Sequence, residues 1–438
     1  ILLTLLNPFF FGHMGMNSKD LIIFFSLIWF CYYFYLYCLE DKKTTKNLIL
    51  ASFFLGFGCG VRLTFPVVIF PAIVCGFVYL FIKFKGEYIY LIKRILLHTL
   101  IAAVITIFLV ILCWPHMIVE IQNGNFLNFF TSIVNKTINW IDGPKTGLIN
   151  GEYYEVFNTP KSYFLDVIMY RLPFYFTILF ILTYLLIFTK NLITQNNINN
   201  FKIKFIIINL ISFSPILLAL VLGVNIYDNL RLFLFIVPFF CIIAAFSLDY
   251  LINSFKNNWK IRTTFSIILI LFSLSFYRFI LLTPYQYDYI NYSSFKFKDA
   301  EYKWEHDYWG ASYKELVLKI KDNYSREEIQ KMKITNCSGD DTLLYYLYRH
   351  LGKKFIYRAK REYEATHVVL INRATLDIFV PAIKDLVNEK GEMLVRNMEK
   401  IVRTPGVKIT CNEQYIGKDV VKVTRNGVTL SALRKLSK

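Results

Sequence analysis

Ionisable side chains collect beside apolar runs at four points of this sequence, and their types share one chemistry. PFFFGHMGMNSKD (8–20) carries His13, Asn17, Lys19 and Asp20 just ahead of an apolar run. GVRLTFP (60–66) sets Arg62 between two runs, and WPHMIVEIQNGN (114–125) sets Trp114, His116 and Glu120 just after one. YDNLR (227–231) brings Tyr227, Asp228 and Arg231 to the start of another. Polar groups at membrane level are costly, so they tend to mark sites. If these segments converge, they form a pocket of carboxylates, two histidines and two arginines. Such a pocket suits transfer of a group from a phosphate. Guanidiniums grip the phosphate in a fork and stabilise the departing charge. A carboxylate takes the proton of the attacking hydroxyl.

On this reading Asp20 and His13 are the catalytic candidates, and Arg62, Arg231 and Lys19 the phosphate-binding ones. Trp114, His116, Tyr227 and Asp228 are candidate substrate contacts. A divalent metal could bind through His and carboxylate, although no spacing here calls for one, and no cofactor is specified. Each residue also has a structural alternative. Arg62 and Arg231 could be anchors reaching toward headgroups, Lys19 and Asp20 a surface pair, and Trp114 an aromatic-belt residue. His98, near the other end of its run, reads as structural.

The elements that must position these groups are membrane helices. The chain is 55% hydrophobic and 18% charged, where soluble domains carry roughly 25% charged residues. A span needs about 20 apolar residues, and spans are expected near 21–38, 48–61, 65–82, 95–113, 171–189, 205–223, 232–251 and 263–282. The stretch 48–82 is too long for one helix; Gly58, Gly60 and Pro66 around Arg62 divide it into a hairpin. Lys and Arg concentrate in the loops 39–47, 83–94, 190–204 and 252–262, which the positive-inside rule places in the cytoplasm. The four site segments, the long loop 114–170 and everything after 283 then lie outside. The net charge of +18 sits largely in those short loops, which argues against nucleic acid as a partner. The expected location is an integral, multi-pass position in a membrane, a bacterial inner membrane by its Phe-, Ile-, Lys- and Asn-rich composition.

Residues 1–283 form the expected transmembrane domain and 284–438 a soluble extracytoplasmic one. In the latter, helical stretches (SYKELVLKIKDNY, DTLLYYLYRHLG) alternate with strand-like ones (KMKITNC, THVVLIN, VKITC, VVKVTR), the pattern of a small α/β unit. Six of the eight cysteines fall in apolar runs. Cys337 and Cys411 are the two in the C-terminal domain, where a disulfide between them is open. No CxxC spacing points to zinc. The chain opens at Ile1 inside an apolar run, without the basic region or cleavage site of a signal peptide, so the expectation is a natural N-terminus further upstream.

At the same residues the chain resembles glycosyltransferase family 39 and its relatives, the dolichyl-phosphate-mannose protein mannosyltransferases and aminoarabinose transferases. PFFFGHMGMNSKD is similar to their outer-loop segment ending in an acidic residue, and GVRLTFP to their Gly-x-Arg turn. WPHM, YDNLRLFLFIVP and YQYDYIN…DYWGASYKE resemble segments of bacterial members. Together these touch most of residues 7–320, each motif being short.

The resemblance implies a GT-C membrane fold and inverting transfer of a sugar. The donor would be a polyprenyl- or dolichyl-phosphate sugar, and the acceptor a protein, lipid or glycan on the outer face. It also implies that Asp20 joins the acidic set and that Arg62 and Arg231 hold the donor phosphate. The family's principal acid lies in a first outer loop that this stretch of sequence lacks, so the fragment by itself is expected to be inactive. The competing readings are a transporter or lipid flippase, which would place ionisable groups on broken helices near the midplane, and a non-catalytic receptor.

Overall fold

The computed structural model describes residues 1–40, 45–125, 127–128, 131, 146–155, 158–189, 198–224, 226–255, 259–291, 303–307, 309–336, 341–353, 365–372 and 415–437. Cys337 and Cys411 lie outside the described residues, as do VKITC and most of the aromatic loop after Asn125. Two compact units emerge. One comprises Ile1–Gly143, Val167–Asn225 and Leu230–Phe276; the other comprises Pro144–Asp166, Ile226–Asn229 and Tyr277–Lys438.

The first unit is helical. After two short helices, α1 (Leu2–Leu5) and α2 (Pro8–Met14), come α3 (Ser18–Leu39), α4 (Lys46–Val61), α5 (Phe65–Lys83), α6 (Tyr88–Cys113) and α7 (His116–Gln122). Beyond them lie α8 (Tyr163–Arg171), α9 (Phe174–Phe188), α10 (Ile198–Leu222), α11 (Val237–Ser254) and α12 (Trp259–Leu281); the start of α8 up to Asp166 and the end of α12 from Tyr277 belong to the second unit. Six helical stretches among the described residues are long and apolar enough to cross a membrane: α3, α5, α6, Lys204–Leu222 of α10, Arg231–Ser254 including α11, and α12. They suggest a multi-pass membrane protein. Their outward faces agree: α6 exposes Leu97, Leu100, Val104 and Phe108, a surface that suits lipid rather than water.

Two of the eight expected spans take another form. The segment 48–61 is α4, whose 16 residues reach only about 24 Å at 1.5 Å per residue, short of a 30 Å core. The segment 171–189 holds α9, 15 residues long, which meets the preceding α8 at a bend of 119° and reaches spanning length only together with it. Pro173, with φ −60° and ψ 145°, has no N–H to continue the α8 ladder and disfavours helical backbone at Leu172. The fully buried Arg171 closes α8 at that break.

The hairpin at Arg62 is present, but its glycines act differently from the sequence reading. Gly58 and Gly60 lie inside α4, and the turn itself is Arg62–Thr64, with Pro66 in the first turn of α5. A Cβ on Gly56 would strike Leu109, and one on Gly60 would come 2.6 Å from the Cys113 sulfur. The two form a Gly-x-x-x-Gly seam that lets α4 lie directly on α6. A Cβ on Gly58 would meet the Phe65 ring, so the same helix is clamped from the α5 side. These close approaches fix where α4 stops and hence where Arg62 begins its turn.

The second unit is mixed. Strands β1 (Thr146–Ile149) and β2 (Glu152–Glu155) form an antiparallel hairpin. Asn150 and Gly151 at its tip have φ of 49° and 87°, the two positive values a tight two-residue turn needs. A four-stranded sheet follows, built from β3 (Ile334–Asn336), β4 (His367–Ile371), β5 (Gly417–Arg425) and β6 (Val428–Leu436) in the order β3-β4-β6-β5. The β3–β4 pair is parallel and the other two antiparallel. Helices α13 (Tyr313–Asn323), α14 (Arg326–Lys331) and α15 (Asp341–Leu351) complete it. The residues of α13 that face the sheet, Leu316, Val317 and Ile320, are wholly buried. Arg425 of β5 forks onto Glu315 of α13 at 3.2 and 2.6 Å, and the Tyr285 hydroxyl donates to the same carboxylate at 2.9 Å.

Candidate functional site

The turn Gly15–Asn17 between α2 and α3 sets up the site. Asn17 is the N-cap of α3: its Oδ1 accepts the Asp20 backbone N–H at 3.1 Å, which satisfies one of the free donors of the first turn. Its Nδ2 donates to Asp20 Oδ2 at 2.6 Å and lies 3.4 Å from His13 Nδ1. As the amide nitrogen is a donor, His13 Nδ1 accepts and the neutral ring carries its proton on Nε2. Asn17 thus joins the imidazole to the carboxylate.

Two arginines from distant parts of the chain complete the arrangement. Arg62 donates through Nη2 to Asp20 Oδ1, and Arg231 Nε stands 3.6 Å from Asp20 Oδ2. The Asp20 side chain is 3% exposed, those of Arg62 and Arg231 32% and 19%. The carboxylate is therefore the floor of the site and the guanidiniums its rim. Arg231 is held by a 3-10 turn, Arg231–Ile236, that packs on α3. Its following residues Leu234 and Ile236 are fully buried.

His13 is also fully buried, edge-on to Phe9 at 4.5 Å between ring centres. Burial above all, then the positive charges of Arg231 and Arg171, push its pKa down to about 3. It is neutral at pH 7. Three guanidinium charges thus act around one carboxylate and a neutral imidazole.

The remaining candidates are placed as follows. Lys19 is exposed. Trp114 donates its indole N–H to the Gly60 carbonyl at 2.5 Å, pinning the end of α6 to the end of α4 beside Arg62. His116 pairs with Glu120 one turn along α7, at 3.0 Å, with its side chain 67% exposed. Tyr227 and Asp228 belong to the second unit, since the chain passes between units after Asn229. Both are buried, and Asp228 and Asn229 have φ of 54° and 62°, a left-handed conformation that Asp and Asn tolerate best among residues with a side chain. The Tyr154 and Tyr163 hydroxyls hold this segment from both sides, donating to the Ile226 carbonyl at 3.0 Å and the Asn229 carbonyl at 3.2 Å.

Sequence reasoning overlooked Arg171 in the first unit and a buried polar cluster in the second. In that cluster His306 Nδ1 lies 2.8 and 2.9 Å from the two Asp288 oxygens. Asp307 accepts from the Tyr287 hydroxyl, the Ser312 hydroxyl and the Ala311 and Ser312 backbone N–H groups. Burial pushes the Asp307 pKa up to about 7, against the pull of those donors. The available signal was the run Glu305-His306-Asp307 amid aromatics. Among the described residues no three His, Cys, Asp or Glu side chains come together as a metal site.

No family model, no curated protein and no solved structure matches this chain.

Proposed function

We propose that this protein is a membrane glycosyltransferase that moves a sugar from a polyprenyl-phosphate donor to a hydroxyl-bearing protein, lipid or glycan on the outer face. A GT-C-like arrangement of the helical unit goes with that reading, and so does an extracytoplasmic place for the C-terminal unit. The observation that carries it is the buried Asp20 carboxylate holding two partly exposed guanidiniums, Arg62 and Arg231, at one end of α3. Two cations less one anion leave a positive charge at the rim, which a phosphate can neutralise. Membrane proteins rarely spend buried charge without use.

In this reading the acceptor oxygen attacks the anomeric carbon as the bond from that carbon to the phosphate oxygen breaks. The acceptor proton passes to a base, and the phosphate leaves with a second negative charge. Arg62 and Arg231 stabilise that charge more than the singly charged donor, which lowers the barrier rather than merely binding substrate. Asp20 has both oxygens engaged by Asn17, Arg62 and Arg231, so it acts as a positioning residue for the arginines. Neutral His13 completes the hydrogen-bonded chain behind it. Trp114 sets the edge of the turn that carries Arg62.

The test uses the full-length protein in membranes, offered a panel of radiolabelled polyprenyl-phosphate sugars with endogenous acceptors. Transfer from one donor should fall at least about tenfold, 1.4 kcal/mol of barrier, in both Asp20→Asn and Arg231→Ala at unchanged expression. Absence of transfer from every donor would sink the enzyme reading. Transfer untouched by both substitutions would keep the enzyme and remove its site from Asp20.

One observation favours a second reading, a transporter or lipid flippase. The α8–α9 pair is broken at Pro173 with Arg171 buried at the break, the kind of discontinuous helix that lines transport pathways. Reconstituted protein that moves a fluorescent polyprenyl phosphate between leaflets, and stops on Arg171→Ala, would establish it.

A further inference from the structure

The far end of α3 carries a second charged cluster, unrelated to Asp20. From Asp20 to Tyr37 the helix rises about 26 Å at 1.5 Å per residue, close to the thickness of a hydrocarbon core. There Arg94, near the start of α6, is only 5% exposed. Its guanidinium lies between two rings, 5.2 Å from the centre of Tyr37 and 5.3 Å from that of Phe84. The Tyr37 hydroxyl is tied in turn to His98 Nδ1 at 2.7 Å. Arg94 Nε and Nη1 are buried without a hydrogen-bond partner among the described residues.

An arginine that merely reaches for water would leave its head exposed; this one has its head sealed. The ring faces attract the cation and the Tyr37 hydroxyl shares a hydrogen bond with it, but neither satisfies Nε and Nη1. The neighbourhood is cationic as well. Lys83 caps the end of α3, donating to the carbonyls of Leu39 at 2.7 Å and Glu40 at 3.0 Å, and Lys85 and Lys93, close by in sequence, are exposed. In the described sequence around this point four cations stand against two carboxylates, Glu40 and Glu87. Glu40 accepts from Asn47 at Oε1, and its Oε2 is buried without a hydrogen-bond partner among the described residues.

We propose that this end of the α3–α5–α6 group is a specific site for the phosphate headgroup of an anionic membrane phospholipid. Arg94 would be its main ligand and Lys83, Lys85 and Lys93 its electrostatic surround. A headgroup phosphate offers two oxygens to the Nε and Nη1 groups that the described residues leave unsatisfied, and brings negative charge to a patch where the described cations outnumber the described carboxylates. The acyl chains would run along the exposed apolar face of α6. The site is independent of the reading of Asp20 and stands or falls separately.

The experiment uses the full chain in nanodiscs of phosphatidylcholine alone and of phosphatidylcholine mixed with phosphatidylglycerol, with lipids retained on the released protein counted by native mass spectrometry. Wild type should retain phosphatidylglycerol about fivefold better than Arg94→Gln and should melt higher in the mixed discs. Arg94→Lys should keep part of the retention, as a point charge without the fork. Lys93→Gln, a surface change that leaves the packing alone, should lower it slightly, and so keeps the test informative if Arg94→Gln fails to fold. Equal retention of phosphatidylglycerol by wild type and both neutral variants would overturn the proposal. So would a melting loss on Arg94→Gln and on Glu40→Gln that is the same in both disc types, since Glu40 would then be the partner. Displacement of the lipid by free inorganic phosphate would assign the site to a soluble phosphate instead.

Discussion

Asp20 of the helical unit keeps company with two guanidiniums and a carboxamide, whereas Asp307 of the C-terminal unit accepts from a tyrosine, a serine and two backbone N–H groups. Both carboxylates are all but closed to solvent, at 2% and 0% exposure. Charge meets charge in the first case, and the surplus is positive and reaches the surface. Dipoles alone meet the charge in the second, and the pKa of Asp307 rises to about 7 because desolvation outweighs what neutral donors return. With its one proton on Asp307, the Ser312 hydroxyl oxygen accepts from the Ser431 hydroxyl of β6 at 2.5 Å, so the Asp307 set is closed on itself and joins a loop to the sheet. The difference separates a site that can receive an anion from a joint that holds structure.

The comparison is most easily broken by removing the first carboxylate. Asp20→Ala leaves Arg62 and Arg231 facing each other without an anion, and stripping one partner from a buried pair costs about 3–5 kcal/mol. The partial exposure of Arg62 argues for the lower end. Thermal unfolding in detergent should show a lower midpoint for Asp20→Ala than for Arg231→Ala. If the two midpoints match, the carboxylate is not the floor of the site.

pH should drive the two units in opposite directions. His13 has a folded pKa near 3 against about 6.5 unfolded. Its contribution is present above pH 6.5 and is lost as pH falls toward 3, about 2 kcal/mol by pH 5. Asp307 is the reverse: its folded value near 7 stands above about 3.9 unfolded, so its stabilisation is full below pH 4 and lost as pH rises to 7. Between pH 7.5 and 5, hydrogen-exchange protection corrected for intrinsic rates should fall in α2 and the first turn of α3. Over the same step it should rise in α13 and β6. Parallel changes in the two units would contradict the contrast.

A smaller effect tests how Asp307 is held. Tyr287→Phe removes one donor to the carboxylate, a hydrogen bond to a charged group worth about 1.5–3 kcal/mol. The loss in protease resistance of the C-terminal unit should be larger at pH 8 than at pH 5, where Asp307 is protonated. Pulse proteolysis of the intact protein at both values reads it directly.

Much of this is legible in the sequence, for identifiable physical reasons. The apolar runs that became α3, α5, α6 and α12 are long and uninterrupted, and period and length leave little choice. Asp20, Arg62, Arg231 and His13 stood out because charges beside such runs are rare. What the letters did not show was distance. Nothing in them joins Arg171 to His13, and nothing assigns Tyr227 and Asp228 to a different unit from Arg231, three residues past Asp228. Pro173 does lie at the start of the span expected at 171–189, but the helix α8 ahead of it falls almost wholly within the stretch 114–170 expected as a loop. Strand β6 was missed since TLSALRKL favours helix; the Asn426-Gly427 turn, with φ of 50° and 81°, was the clue that it closes a hairpin with β5.

The smallest expected effect is also the most discriminating for the site. Arg62→Lys keeps the charge beside Asp20 but replaces a planar fork with a point charge on a flexible stem. With the Arg62 side chain 32% exposed, the ion pair with Asp20 is partly screened, and the stability change should be about 0.5 kcal/mol. If Arg62 only steadies Asp20, activity should follow stability and hardly change. If Arg62 grips a phosphate through the edge turned away from Asp20, lysine cannot satisfy both partners at once. Transfer should then fall about tenfold, 1.4 kcal/mol, with the melting temperature nearly unchanged. A variant that loses stability and activity in proportion would make Arg62 a structural partner of Asp20 and leave Arg231 as the candidate for the phosphate.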